Sequence, residues 1–178
     1  MAQVVLERLR RKFGDAILET TTDRGNECAV VAREKLAEVA EFLRDDRELA
    51  FDMPIDCSAV DWYQRRPVRF DVVWHVYSTT KHHRLRLKVR VSDEDPTVPS
   101  LTPIWRGMNW HERECWDMYG IRFTGHPNLK RILLYEEFQG HPLRKDYPID
   151  KRQPLIPLRK VKEIPTQKNP PPSRLNQP

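Results

Sequence analysis

Pro67-Val68-Arg69-Phe70-Asp71-Val72-Val73-Trp74-His75-Val76-Tyr77, followed after a short link by Arg84-Leu85-Arg86-Leu87-Lys88-Val89-Arg90-Val91, is the stretch on which the architecture rests. In the first run Val68, Phe70, Val72, Trp74 and Val76 alternate with Arg69, Asp71, Val73, His75 and Tyr77. In the second, Leu85, Leu87, Val89 and Val91 alternate with Arg84, Arg86, Lys88 and Arg90. A period of two predicts strands with one face in a core and the other towards solvent or a partner. The link Ser78–His83 is short, so the two strands should be antiparallel neighbours.

Upstream, Val5, Leu6, Leu9 and Phe13 are spaced as on a helix face, and Gly14 stops that pattern. Ile17–Thr21 and Glu27–Ala32 read as strands around an Asp23-Arg24-Gly25-Asn26 turn. Leu36, Val39, Ala40 and Leu43 mark an amphipathic helix over 34–46. A strand at Leu49–Met53, closed by Pro54, should follow. Downstream, Asp93-Glu94-Asp95-Pro96 ends the sheet region. Thr102-Pro103 can open a helical turn. Asn109 is positioned to cap a further helix, with Glu112 in the capping-box position and Gly120 as its left-handed stop. The fold class expected is α+β, a small, mostly antiparallel or mixed sheet packed by helices. No internal repeat, GxGxxG or P-loop occurs.

At 178 residues the chain should hold one domain. No run approaches the ~18 apolar residues of a membrane helix, and Met1–Arg8 lacks the apolar stretch of a secretory signal. Cys28, Cys57 and Cys115 form no CxxC pair, which gives a cysteine-held cluster or zinc no support and points to a reducing compartment. The net charge of +5 is unevenly placed. Residues 141–178 carry nine Lys/Arg, three Asp/Glu and nine of the fifteen prolines, which leaves 22 Lys/Arg and 23 Asp/Glu for residues 1–140. A nearly neutral globular body, 1–138, followed by an extended, basic, proline-rich arm, 139–178, is therefore expected. Apolar residues recur through the arm, which favours docking on a partner over a solvated tail.

The residues able to carry chemistry cluster between Asn109 and Pro148. On a helix, Arg113, Glu114 and Asp117 share one arc beside Trp110, and His111, Cys115, Met118 and Tyr119 share the other. Glu114 and Asp117 could form an acid–base pair. An ion-pair network of Arg113 with Asp117 is the favoured reading, because such networks far outnumber dyads. His111 and Cys115 stand at metal-ligand spacing, with His126, His141 or His82-His83 as conceivable further ligands. Core packing plus a surface histidine is the commoner outcome. Gly125-His126-Pro127 and Gly140-His141-Pro142 read as shaped turns. Arg144 and Lys145 could neutralise acidic groups on a partner, while Asp146 could answer Arg131 or Lys130. Trp74 is expected in the core; Trp62, Trp105 and Trp110 could be core or interface anchors.

Taken together, Glu112-Arg113-Glu114, Asp117, Gly120, His126-Pro127, Arg131-Ile132-Leu133, Gly140, Pro142-Leu143-Arg144-Lys145-Asp146 and Pro148 closely resemble the 30 kDa (C-type) subunit family of respiratory complex I, the proton-pumping NADH:quinone oxidoreductase. The resemblance covers residues 109–148. It implies one part of an enzyme complex that contributes no catalytic residue, cofactor or metal ligand of its own. FMN, iron–sulfur clusters and quinone would reside in partner subunits. The chain would pack on the D-type subunit near the quinone site, contact the neighbouring B-, I- and G-type iron–sulfur subunits, and meet the membrane only through the complex. Its place would be the cytoplasmic face of a bacterial inner membrane. Trp110 and the motif residues are then assembly surface. Related subunits occur in membrane-bound hydrogenases, which the motif block does not separate. The rivals of other classes are a nucleic-acid binder using the basic tail and a small metalloenzyme built on His111 and Cys115. The first lacks any nucleic-acid motif, and its body offers only the Arg84/Arg86/Lys88/Arg90 row.

Overall fold

A computed structural model describes residues 3–156. The part of the expected arm from residue 157 to 178 lies outside the described residues, as do Met1 and Ala2. The chain runs α1 (Gln3–Phe13), β1 (Ile17–Asp23), β2 (Asn26–Val31), α2 (Leu36–Asp45), β3 (Met53–Asp61), β4 (Phe70–Tyr77), β5 (Arg84–Val91), β6 (Thr97–Pro99), α3 (Met108–Tyr119) and β7 (Arg122–Thr124). Five strands form one mixed sheet in the order β1-β2-β5-β4-β3, and β6 with β7 forms a small parallel pair. The architecture is α+β.

The two quoted runs pair as their alternation predicts. Trp74 faces Leu87, Val72 faces Val89 and Phe70 faces Val91 across an antiparallel ladder. These side chains enter one core together with Val5 and Leu9 of α1, Leu36, Val39, Ala40 and Leu43 of α2, and Cys115 of α3. The helices cover one face of the sheet. Arg84, Arg86, Lys88 and Arg90 alternate with the core residues of β5 and lie on the other face. The β1–β2 turn uses positive φ at Arg24 (49°) and Gly25 (81°), the geometry that a tight hairpin needs. β2 and β5 run parallel, so the sheet consists of a hairpin and a three-strand meander joined along one parallel seam.

Four local expectations change. Leu49–Met53 is not a strand. Leu49 and Phe51 plug the core from a turn closed by Asp46, and β3 begins at Met53 and contains Pro54. β3 is an edge strand and its register shifts between Pro54 and Asp56. A missing N–H is tolerated at such a position. Val68 lies before β4 rather than in it, and is 38% exposed. Asn109 does not cap α3, which starts at Met108 after Gly107 with no side-chain cap. Glu112 is instead fully buried. It accepts hydrogen bonds from Leu101 N–H (2.7 Å), Ser100 Oγ (2.6 Å) and Thr102 Oγ1 (3.2 Å), and so fixes the preceding turn. Gly120 ends α3 at φ 79°, in the left-handed region. An added Cβ there would meet the His141 ring at 2.7 Å.

Candidate functional site

The motif residues of 109–148 take part in two charged networks, one sealed at Asp117 and one built on the buried Arg69 with partly exposed carboxylates. The first is centred on Asp117, whose side chain is fully buried. One carboxylate oxygen accepts from Arg131 at 2.5 Å, and the other accepts the backbone N–H groups of Ile132 (3.1 Å), Leu133 (2.9 Å) and Leu134 (2.9 Å). Burial pushes the Asp117 carboxyl up. The Leu134 amide, Arg131, and the Leu133 and Ile132 amides outweigh it and hold the group below its ordinary value. Arg131 also donates to the carbonyls of Phe138 (2.8 Å) and Gly140 (3.2 Å). The Asp117 carbonyl in turn receives His141 Nδ1 at 2.9 Å. One buried carboxylate thus gathers loop 131–134, the 138–140 turn and the His141 ring onto the end of α3.

Arg113 is therefore not the partner of Asp117. It donates to the carbonyls of Lys130 (3.1 Å) and Arg131 (3.0 Å), pinning the same loop one helical turn earlier. The spacing of four residues misleads because Arg131 reaches the buried carboxylate from the loop it holds, while the Arg113 guanidinium is spent on carbonyls of that loop. Glu114 stays exposed. Among the described residues Glu114 and Asp117 share no site, so the acid–base pairing does not form.

The second network is centred on Arg69, with a side chain only 7% exposed. Its guanidinium bonds both oxygens of Asp61 (3.0 and 2.9 Å), both oxygens of Asp146 (3.0 and 2.7 Å) and Asp93 (2.6 Å). Arg144 adds a further ion pair to Asp93, and the Lys145 N–H donates to Asp61 at 2.8 Å. The Phe70 ring lies near both guanidinium groups, at 4.8 Å and 5.1 Å. Asp146 is drawn down to about 2, chiefly by its hydrogen bonds to Arg69. Asp146 thus answers Arg69 and not Arg131 or Lys130, and Arg144 is engaged within the chain. No sequence signal links Arg69 to Asp146, 77 positions away.

The two turns differ in what they hold. Gly125 (φ 79°) precedes His126, whose Nε2 donates to the Asn109 carbonyl at 3.1 Å while its Nδ1 accepts from Asn128 N–H at 3.0 Å. This arrangement fixes the neutral tautomer. Pro127 is exposed beside it. Gly140 (φ 98°) packs so tightly on Tyr147 that a Cβ would approach the ring to 3.1 Å. Pro142 is half-buried; Lys145 and Pro148 are exposed.

Cys115 is buried in the core, whereas His111 lies 3.7 Å from Asp56, so the helical pair does not converge on a ligand. Among the described residues no group of three or more His, Cys, Asp and Glu is placed to hold a metal ion. Trp74 and Trp105 are core, and Trp62 donates to Asp71 at 3.1 Å. Trp110 on the first turn of α3 is 69% exposed. Leu133 and Leu143, both tied by backbone hydrogen bonds to α3 residues, are 60% and 50% exposed. Glu112, Arg113, Asp117, Arg131, Arg144 and Asp146 are bonded within the chain, whereas Glu114, Lys145 and the apolar Trp110, Leu133 and Leu143 are exposed.

Residues 29–153 match the model of the respiratory-chain NADH dehydrogenase 30 kDa subunit family. The C subunit of an NADH-quinone oxidoreductase from Roseiflexus sp. (strain RS-1) is 52% identical over 145 residues, covering 82% of this chain and 83% of that one. A Geobacter sulfurreducens protein of the same name is 40% identical over 142 residues, covering 80% and 86%. Among solved structures, a trypsin-resistant fragment of Nqo5 superposes with a TM-score of 0.61 at 31% identity, covering 72% of this chain and all of the fragment. A chain of an archaeal membrane-bound sulfane sulfur reductase shares the fold, with a TM-score of 0.70 at 18% identity over 83% of this chain and 85% of that one.

Proposed function

The chain belongs to the 30 kDa subunit family of the respiratory-chain NADH dehydrogenase, and from that membership we propose that it is a structural subunit of the peripheral arm of an NADH:quinone oxidoreductase. In this reading it packs on the D-type subunit beside the quinone site and borders the B-, I- and G-type iron–sulfur subunits. FMN, the iron–sulfur clusters and quinone belong to those partners. The complex passes electrons from NADH to quinone and couples the transfer to proton translocation. This chain supplies positioning and no reacting group. Among the described residues no helix is long and apolar enough to cross a membrane. Attachment at the cytoplasmic face of a bacterial inner membrane would then come through the partners.

The observation that carries the reading is the inversion around α3. Asp117, Arg131, Arg69 and Asp146 are satisfied internally, while Trp110, Leu133 and Leu143 are held outward in fixed positions. Apolar side chains held exposed on a rigid scaffold beside charged ones are common at protein interfaces, where a large aromatic such as Trp110 is the usual hot spot. Glu114, Lys145 and Pro148 would lie on the rim of that interface. The basic, proline-rich arm of residues 139–178 would extend the contact over partner subunits.

The test is recovery of the tagged full chain from gently solubilised membranes. The expected result is a large assembly that oxidises NADH and reduces quinone, containing the D-, B-, I- and G-type subunits. Recovery as a lone soluble chain would overturn the proposal.

A further inference from the structure

The helices cover one face of the sheet, and the other carries a basic row that the α3 interface leaves unused. His75 and Asp71 of β4 stand opposite Arg86 and Arg90 of β5 on that face. Its charges are incompletely compensated. Arg90 reaches Glu19 at 2.5 Å. The single carboxylate of Asp71 is shared by Arg66 at 3.5 Å, Arg90 at 3.8 Å and Lys88 at 3.9 Å. Arg84 and Arg86 form no ion pair among the described residues. Arg84 lies over the Tyr77 ring at 5.2 Å, and Arg86 donates to His75 Nε2 at 3.0 Å. Burial, then Arg86, hold His75 below its ordinary value, and Lys88 adds to that effect.

A second, independent observation marks the same face. Asp71 is only 2% exposed, yet its Oδ1 has no hydrogen-bond donor among the described residues. A buried acceptor left in that state is costly. Asp71 lines a hollow of about 270 Å³ with Arg66, Pro67, Val68 and Arg90. Another hollow, of about 240 Å³, lies at the far end of the row beside Glu27, Ile55, His75, Arg84 and Arg86, and burial raises the Glu27 carboxyl to about 7. Ile55, Val60 and Val68 are about two-fifths exposed along the flank.

We propose that this sheet face is a second docking surface, distinct from the exposed apolar residues around α3, and that it takes an acidic, extended segment of a protein partner. Carboxylates of the segment answer Arg84 and Arg86, which form no ion pair among the described residues, and Arg66, which shares the Asp71 carboxylate with Arg90 and Lys88. From Arg84 to Arg90 the strand spans ~20 Å, the length of about six extended residues. A nucleic acid would answer the cations, but the exposed Ile55, Val60 and Val68 along the flank suit the side chains of a peptide and not a phosphate backbone. The inference rests on the chain working inside an assembly.

The experiment places a photo-reactive amino acid at Arg84 and, in a separate variant, at Leu133, within the full complex. Irradiation at position 84 is expected to capture an Asp/Glu-rich peptide of another polypeptide. The double variant Arg84→Glu/Arg86→Glu, with an unchanged melting temperature, is expected to be retained at least about tenfold less in the assembly, since like charges across an interface repel. Capture at 133 but none at 84 would overturn this inference and leave the proposed function standing. Capture at 84 of RNA, of a second copy of this chain, or of a peptide without acidic residues would overturn it as well. No capture at either position, with the chain monomeric, would sink both.

Discussion

Replacing Asp117 by Asn is the sharpest perturbation of the site, because it removes one charge and almost no volume. The carboxylate accepts from three backbone amides and from Arg131, and it is sealed from solvent. An Asn oxygen can keep the amides, but its NH₂ then faces the Arg131 guanidinium, donor against donor. Hydrogen bonds to a charged group contribute about 1.5–3 kcal/mol each, and breaking a buried ion pair costs about 3–5 kcal/mol. The expected loss for Asp117→Asn is thus about 3 kcal/mol, and for Asp117→Ala about 4 kcal/mol. For a chain of this size that lowers the melting temperature by about 6–16 °C. The pH dependence has a definite sign. Asp117 is depressed below its ordinary 3.8 in the folded chain. Its contribution is therefore present in full above that value and lost as pH falls through the lower folded value. Urea unfolding of the wild type and Asp117→Asn between pH 2 and 8 should show a constant gap at neutral pH that narrows in acid. A gap below about 1 kcal/mol at pH 7, or one that persists unchanged at pH 2, would refute the claim that this carboxylate holds the loop.

The remaining predictions concern neighbouring features. Burial raises Glu112 to about 7 in the folded chain, above its ordinary 4.5, against the pull of its three donors. The contribution of Glu112 to stability should therefore decline by about 3 kcal/mol between pH 4.5 and 7, read as a growing difference between the unfolding curves of the wild type and Glu112→Gln. Arg69→Ala leaves the fully buried Asp61 carboxylate unpaired and should cost about 3–5 kcal/mol. It should also speed tryptic cleavage after Lys145, and unchanged cleavage would mean that the network does not clamp the 141–147 segment. Trp110→Ala should leave the melting temperature within about 1 °C, yet weaken recovery in the assembly by about thirtyfold, the effect of a hot-spot aromatic. Gly120→Ala imposes a positive φ on an L residue and a close approach to His141; a fall of about 1–3 kcal/mol is expected in denaturant titration.

The parts of the fold written in local periodicity were legible. The alternation of residues 70–91 gave both strands, their pairing and their buried faces. Leu36, Val39, Ala40 and Leu43 gave the buried face of α2. Elements defined by tertiary partners were not. β3 hid behind Pro54, because nothing local says that a strand will be an edge. β6 and β7 are three residues each, pair in parallel, and carry no pattern long enough to read. At the site, the residue set was visible but the pairing was not. Local spacing offered Arg113 to Asp117, whereas the fold supplies Arg131. Glu112 looked like a helix cap because its spacing from Asn109 fits a capping box, yet it serves a turn ten to twelve residues earlier. The exposure of Trp110 could not be read from a helix wheel, since its arc also contains the fully buried Asp117.

The parallel seam between β2 and β5 sets the order in which the protein can be made. The first hairpin and its helices emerge from the ribosome with Val5, Leu9, Leu36, Val39 and Leu43 uncovered, since the strand that completes their floor ends only at Val91. Until then the nascent chain holds a sticky half-domain, the kind of species that holdase chaperones recognise. Chains stalled before Arg84 should therefore be captured by such chaperones and digested readily. Chains stalled far enough beyond Val91 for β5 to clear the exit tunnel should shed the chaperone in a single step, as the meander closes onto the waiting hairpin.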